Sequence, residues 1–304
     1  MGLLDGKVVA VTGAGRGIGR EIALLCAREG ARLVVNDYGV ASDGEGGNDS
    51  LPANEVVDFI NQNGGQAIAN FGSVSAPTDA QQIIDDAIAK FGRIDSVVNN
   101  AGILRDRIWH KMSHEDFRQV VEVHLFGSFN VCKAATPYFK EQNGGSFINF
   151  TSTSGLIGNF GQANYNAAKM GIVGLTQSIA LDMARFGVTA NCIAPFAWSR
   201  MTESIPATTE AERERIERAK TVTADKVAPM VACLASDRAK DVSGQIFCVR
   251  KNEIFLFSKP RPIRSMHRSE GWTAEAIAND LLPAFKPNFY DLERSTDVFC
   301  WDPV

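Results

Sequence analysis

A phenol and an ammonium stand four residues apart in Tyr165-Asn-Ala-Ala-Lys169, a spacing that puts both side chains on one helix face. A tyrosine beside a cation is suited to acid–base work, although Y-x-x-x-K alone recurs by chance in many chains. Context gives it weight. Ser152 lies thirteen residues upstream, directly after the apolar run 146–150. Far away in the chain, Thr12-Gly13-Ala14-Gly15-Arg16-Gly17-Ile18-Gly19 follows a first apolar run and opens a helical pattern. Glycines let the backbone approach a pyrophosphate, and the free N–H groups of a helix start attract anions. The common G-x-G-x-x-G spacing fails here, because its third glycine would fall on Ile18; the glycines form G-x-x-x-G-x-G instead. The expected contacts to a dinucleotide are Gly13, Arg16, Gly17, Ile18 and Gly19. Asp37 stands 24 residues beyond Gly13, after the second apolar run. A carboxylate there accepts hydrogen bonds from the adenosine ribose and repels a 2′-phosphate, favouring NAD over NADP. Arg16 pulls the other way, since an arginine in this turn can reach a 2′-phosphate.

These residues need a frame that brings distant segments together. Short apolar runs at 8–11, 32–36, 67–71, 96–98, 146–150, 189–193 and 245–249 read as strands. Helical patterns lie between them, after the first glycine cluster and near 54–62 and 79–91. Strands alternating with helices of this length specify an α/β fold, a doubly wound parallel sheet (Rossmann) with crossover helices on both faces. The polar, Gly-rich stretch 42–50 reads as a mobile loop. Residues 1–250 are expected to form the dinucleotide-binding and catalytic domain, and 251–304 a C-terminal extension packed on it. That extension holds one helical pattern, 273–282, and a Pro-rich aromatic tail; 253–258 could pair back as a hairpin strand.

Composition excludes several classes. A formal net charge of −4 argues against nucleic acid as the main partner. No stretch is long and apolar enough to span a bilayer. The first residues have no basic region before the first strand, and the last three are not a peroxisomal address, so a cytoplasmic protein is expected. Six scattered cysteines without a C-x-x-C pair read as buried free thiols, and four histidines show no metal-ligand spacing. One charge shift stands out. Between Arg250 and Arg268 there are six basic residues and one acid, Glu253, a +5 segment in an acidic chain.

Taken together, the cradle, Ser152, Tyr165 and Lys169 resemble the short-chain dehydrogenase/reductase family from about residue 4 to residue 249. Two further marks are Asn99-Asn100-Ala101-Gly102 after the fourth strand and Asn191-Cys-Ile-Ala-Pro195 after the sixth. The resemblance implies a nicotinamide cofactor, with Asn99, Asn100, Tyr165 and Lys169 among its contacts, and a secondary alcohol or ketone as substrate. Tyr165 would give or take the proton, Ser152 would bond the substrate oxygen, and Lys169 would hold the nicotinamide ribose. Lys169 and an oxidised nicotinamide would both favour the phenolate; a fall of ~3 pKa units corresponds to about 4 kcal/mol. A homodimer or homotetramer built on paired helices is also implied.

Departures from the family pattern carry information. His124 stands where the family usually has an asparagine that completes a proton relay; a lone helical histidine can equally be structural. Ser73-Val74 replaces the Asp-Val pair that contacts adenine, and Pro195-Phe196, with Trp198 nearby, replaces Pro-Gly. Within the family, the segments 36–39, 99–107, 123–129, 158–169 and 199–202 are similar to the (3R)-hydroxyacyl-CoA dehydrogenase part of peroxisomal multifunctional enzymes. That likeness implies a small-molecule acyl thioester substrate, carried on CoA or acyl carrier protein, and suggests that the +5 segment contacts CoA phosphates. The alternatives are the same chemistry on a steroid or other hydrophobic alcohol, and a catalytically idle NAD-binding protein. The charged segment 201–220 reads as a helical substrate lid.

Overall fold

In the computed structural model, residues 2–47, 49–197 and 220–304 are described, together with Glu210 and Glu217. Most of the 201–220 segment, Trp198 and the 199–202 motif therefore lie outside the described residues. Seven strands run parallel: β1 (Val8–Thr12), β2 (Arg32–Asn36), β3 (Gln66–Asn70), β4 (Ser96–Asn99), β5 (Gly145–Phe150), β6 (Val188–Phe196) and β7 (Ile246–Arg250). An eighth, β8 (Glu253–Leu256), turns back antiparallel on β7, within the stretch 253–258 read as a possible hairpin strand. The order is β3-β2-β1-β4-β5-β6-β7-β8, so the winding direction reverses between β1 and β4. The carboxyl ends of the strands beside that reversal form the crevice where such sheets bind ligands.

The strands are covered on both faces, which is why they read as continuous apolar runs. Val9 and Val11 of β1 face a layer formed by α1 (Gly17–Arg28), α2 (Leu51–Gln62) and, at its far end, Ala228–Ala235. Val8 and Ala10 face the opposite layer of α3 (Pro77–Phe91), α5 (Gly127–Gln142) and α7 (Ala163–Met183). α5 continues from α4 (His114–Val121) through a single π turn, Glu122–Phe126. A one-turn helix, α6 (Thr153–Leu156), follows β5. The helix expected at 273–282 is split into Ala274–Ala276, a π turn Ile277–Leu281 and Leu282–Phe285. Of the six cysteines, all free, Cys233 and Cys300 are exposed, contrary to the expectation that the thiols are buried.

The chain end is tied to the sheet by a buried cation. Arg250, at the end of β7, is 6 % exposed. It lies 5.7 Å from the Phe196 ring, 5.9 Å from Phe299 and 5.2 Å from Trp301. It also donates to Glu253 at 3.2 Å and to the Trp301 carbonyl. Glu253 in turn accepts from the Trp301 indole at 2.8 Å. Arg250→Met is expected to cost about 3 kcal/mol, because it leaves the Glu253 carboxylate without its cation. Urea denaturation of the variant checks this; an unchanged midpoint would show that the aromatic packing alone holds the tail.

Candidate active site

A cavity of about 630 Å³ opens at the reversal between β1 and β4. Its first wall is the glycine cradle, of which Gly13, Arg16, Gly17 and Ile18 line the space. Gly13 and Gly17 hold φ of 62° and 53°, the left-handed region that a side chain disfavours. A Cβ at Gly13 would also fall 2.8 Å from the Ala101 backbone. Gly19 has a different task. It does not line the cavity, and a Cβ there would sit 2.2 Å from the Gly13 carbonyl and 2.6 Å from Asn100 Nδ2. Its bareness lets α1 come close to β1 and β4. No side chain caps the start of α1, so its first N–H groups face the cavity side free for an anion.

Asp37 closes the next section. Its Oδ2 accepts from the Gly15 amide and its Oδ1 from the Gly39 amide, both at 2.8 Å. Arg16 is drawn to Asp49, 3.5 Å away, on the solvent side. The stretch expected to be a mobile loop is folded and pinned. Val40 bridges to Gly46, and Leu104 donates from its amide to the Ser42 carbonyl at 2.9 Å. Arg105 pairs with Glu45 at 2.5 Å. The segment after β2 thus reaches across the crevice to the segment after β4. Ser73 and Val74 line the opposite side; the Ser73 amide is bound by Asp79 at 3.0 Å.

The inner end gathers the catalytic candidates. Tyr165, Lys169 and His124 all line the cavity, with Pro195 and Thr151 beside them. Lys169 is 4 % exposed and donates from Nζ to the Phe150 carbonyl at 2.7 Å, with Nζ 5.4 Å from the Tyr165 ring centre. Burial pushes its pKa down to about 7. Burial likewise pushes the Tyr165 phenol up to about 12, against a hydrogen bond from the Ser152 side that lowers it. Among the chain's own groups, desolvation is the largest influence on the phenol and favours its neutral form. Ser152 Oγ accepts from the Ser154 amide at 3.1 Å, which leaves its own proton free to point toward Tyr165.

His124 sits inside the π turn, a distortion often found at functional positions. Its ring meets the Tyr165 ring edge-on, 5.2 Å between centres. Nε2 lies 2.8 Å from the Ile103 carbonyl and 3.1 Å from the Ile103 amide, while the buried Nδ1 has no partner among the described residues. Its pKa is held well below the usual value by burial first and the Lys169 charge second, so the ring is neutral. Gly102 makes room for it, since a Cβ there would fall 2.1 Å from His124 Cε1.

Several motif residues brace the site rather than line it. Asn99, expected to touch cofactor, is buried in β4 and donates to Asn149 Oδ1 at 2.8 Å. Asn100 does line the cavity, and its Nδ2 donates to the Thr12 and Gly13 carbonyls at 3.1 and 3.0 Å. Asn191 joins β6 to the segment before β7 through the Val242 carbonyl and the Gln245 amide. None of the basic residues at 250–268 lines the cavity. Arg250, Lys251, Arg264 and Arg268 bond to Trp301, Pro303, Ala284 and Asp280, so the suggested CoA-phosphate role is not supported. What sequence reading missed is Thr12, whose hydroxyl accepts from the amides of both Asn100 and Ala101 at 3.1 Å.

The family model for short chain dehydrogenases matches residues 7–210. Over 201 residues, 66 % of this chain, the sequence is 52 % identical to peroxisomal multifunctional enzyme type 2 of Drosophila melanogaster. The match spans only 33 % of that much longer protein. A hydroxyacyl-CoA dehydrogenase of Mycobacterium tuberculosis is 41 % identical over 84 % of this chain and 81 % of its own. A crystal structure of a short chain dehydrogenase from Mycobacterium avium superposes with a TM-score of 0.81 at 39 % identity, covering 95 % of this chain and 98 % of that one. This chain belongs to the short-chain dehydrogenase family and is an oxidoreductase with a nicotinamide nucleotide cofactor. The glycine cradle, the uncapped start of α1 and the size of the cavity fit such a dinucleotide. No helix of the described residues is long and apolar enough to cross a membrane.

Lys169 gives the site a stability signature. Its value of about 7 in the folded chain lies below its ordinary 10.5, so above pH 7 the unfolded chain holds a proton that the folded one lacks. Unfolding free energy should therefore rise with pH from 7 to 8.5, by at most about 1.4 kcal/mol per pH unit from this group. Lys169→Met should flatten the rise. Urea titrations at three pH values, without added nucleotide, check it; equal slopes in both proteins would mean that Lys169 keeps its proton when folded.

Proposed function

We propose that this chain is an NAD-linked dehydrogenase of (3R)-3-hydroxyacyl thioesters, working on the alcohol or the corresponding 3-oxo compound. The observation that carries the reaction type is the gathering of Tyr165, Lys169 and His124 at the inner end of the dinucleotide-sized cavity, with the Ser152 hydroxyl lowering the Tyr165 pKa against burial. Support for the substrate class comes from the names of its relatives, which include a hydroxyacyl-CoA dehydrogenase and a peroxisomal multifunctional enzyme.

In this reading the cofactor supplies or takes the hydride at its nicotinamide ring. Tyr165 transfers the proton at its phenolic oxygen, and Ser152 donates to the substrate oxygen and fixes its distance from Tyr165. Lys169, held by the Phe150 carbonyl, has further N–H groups for the nicotinamide ribose. Neutral His124, with Nδ1 unpartnered among the described residues beside Tyr165, is placed to join a proton path toward solvent, as acceptor or donor according to its tautomer. Asp37 would take the adenosine ribose hydroxyls, since each of its oxygens has accepting capacity beyond the one amide it holds. A 2′-phosphate there would meet a carboxylate, and Arg16 is drawn aside by Asp49. The chain is also inferred to pair with a second copy. Phe126, Phe129, Met170 and Leu181 are exposed apolar side chains near α5 and on α7, and paired helices would bury them.

A screen of 3-oxoacyl-CoA esters, steroids and simple ketones with NADH and NADPH tests the reading. Reduction of steroids or simple ketones but not thioesters would overturn the substrate class. Tyr165→Phe is expected to lower kcat by more than a hundredfold with NADH affinity near normal, since only the proton donor is lost. A variant keeping a tenth of the turnover would refute its assignment. NADH should be preferred over NADPH at least tenfold in kcat/KM, about 1.4 kcal/mol. Asp37→Ser should narrow that ratio while weakening both cofactors, because the Gly15 and Gly39 amides lose their acceptor. Equal use of the two cofactors by the unmodified enzyme would show that Arg16 governs the choice.

A further inference from the structure

The turn that carries Ser152 is held from two sides by segments distant in sequence. On one side it presses on α7: a Cβ at Gly155 would fall 2.9 Å from Lys169 Cβ and 3.1 Å from the Met170 amide. On the other side lies the last stretch of the chain. Ser295, 5 % exposed, donates from its hydroxyl to Thr153 Oγ1 at 2.6 Å, and its amide donates to the Gly158 carbonyl at 2.9 Å. Arg294 lies over the Phe160 ring at 5.6 Å and is itself fixed by Asp297 at 2.5 Å. One turn later Phe299 is buried among Leu156, Ile157, Phe196, Phe255 and Phe257. Its ring is 5.1 Å from Phe196, the last residue of β6, next to the cavity-lining Pro195.

Thr153 follows Ser152 directly, and the Ser152 hydroxyl is aimed by the same turn, through the Ser154 amide. Anything that sets the pitch of this turn sets where the Ser152 proton points. Besides the turn's backbone bonds, the segment is held by α7 against Gly155 and by Leu156 packed on the Ile172 and Val173 cluster, and no side chain outside the strap bonds the Thr153 hydroxyl among the described residues. Two buried hydroxyls in contact, one at each end of 142 residues of chain, form a specific latch, since either one left alone would be an unpaired buried polar group.

We propose that the C-terminal strap, residues 293–301, is a positioning element for Ser152, with Ser295 latching Thr153 and Phe299 filling the space behind Leu156 and Ile157. The proposal rests on Ser152 donating to the substrate oxygen, as argued above. No residue of the strap lines the cavity. The strap therefore acts on turnover and leaves the cradle at the far end of the cavity alone. Geometry errors of a few tenths of an ångström in a donor matter most in the transition state, so the effect falls on kcat rather than on KM.

The test is a set of variants: Ser295→Ala, Thr153→Val, Thr153→Ser and Ser152→Ala, with Ser295→Ala also made in the Ser152→Ala protein. Turnover is read with acetoacetyl-CoA, or with acetophenone should the thioester not be reduced, and NADH binding by fluorescence. Ser295→Ala and Thr153→Val should each lower kcat about tenfold, with NADH affinity and KM within twofold of wild type. Thr153→Ser, which keeps the hydroxyl, should retain most of the rate. In the Ser152→Ala background, Ser295→Ala should cost nothing further, because the group it positions is gone. Additive losses in that double variant, or full turnover in Ser295→Ala alongside a dead Ser152→Ala, would overturn the strap's role. Wild-type turnover in Ser152→Ala would instead overturn the reading of Ser152 itself. Loss of the latch through lowered melting temperature and weaker NADH binding together would mark it as merely structural.

Discussion

Everything in the site depends on holding the ends of β1 and β4 together at the one place where no crossover connects them locally. β1 leads away to β2 and β3, and the chain returns to β4 only after α3, so the crevice between them would open without a direct tie. Thr12 and Asn100 make that tie. The Thr12 hydroxyl accepts from two successive amides, while Asn100 Nδ2 spans the Thr12 and Gly13 carbonyls. The tie is short-ranged, so it also demands Gly19, whose missing Cβ leaves space for the Asn100 amide. Pyrophosphate cradle, nicotinamide end and strand reversal are in this sense one arrangement. A polar brace at the bottom of the crevice fixes the distance that a dinucleotide must span.

A second polar seam crosses the sheet at right angles to this one. Asn99 donates to Asn149, Asn149 donates to Thr176 on α7 at 2.9 Å, and two turns back on α7 is Lys169. Thr151 adds a bond to the Lys169 carbonyl at 2.8 Å. Buried polar groups of this kind cost free energy unless they find partners; here the side-chain amides find theirs, while Asn99 Oδ1 has none among the described residues, and the paired groups specify a single register. Here the register is that of α7 on β5, which sets where Tyr165 and Lys169 meet Ser152. Desolvation comes with it. The same enclosure that fixes Lys169 lowers its pKa and raises that of Tyr165, so the chain's own groups favour neutral partners. The positive charge of an oxidised nicotinamide would favour the Tyr165 phenolate, the form that accepts a proton when an alcohol is oxidised, and would disfavour a neighbouring ammonium.

Much of the frame was legible in the sequence because it follows from strong local patterns. The seven apolar runs became seven parallel strands, and the run after Arg250 became the antiparallel β8. Gly13, Asp37, Tyr165 and Lys169 fell around one cavity as their spacing and surroundings implied. Other readings failed for a common reason: sequence shows charge and flexibility but not partners. The Gly-rich stretch after Asp37 looked loose, yet a backbone bond to Leu104 and the Glu45–Arg105 pair hold it down. The basic residues after β7 looked free for phosphate, yet most are turned onto carbonyls and rings of the chain's own tail. Asn99 looked like a ligand contact because it belongs to a run whose next residue, Asn100, lines the cavity.

The tail shows why such partnerships escape sequence reading and still matter for function. Its contacts with the core include a hydroxyl to a hydroxyl, an amide to a carbonyl, and one phenylalanine set among three others and two aliphatics. None of these leaves a periodic signature, and each joins positions more than forty residues apart. Ser295 in a serine–threonine pair reads as loop polarity, and Phe299 as one aromatic in a tail with several. Their consequence is nonetheless local to the chemistry. The sheet and α7 fix Tyr165 and Lys169 through continuous secondary structure, whereas Ser152 stands on a single helical turn that cannot be rigid alone. An enzyme that aligns three groups needs the least rigid of them supported from outside its own element. Here the support comes from the last residues of the chain, which are themselves fastened by Arg250 at the end of β7.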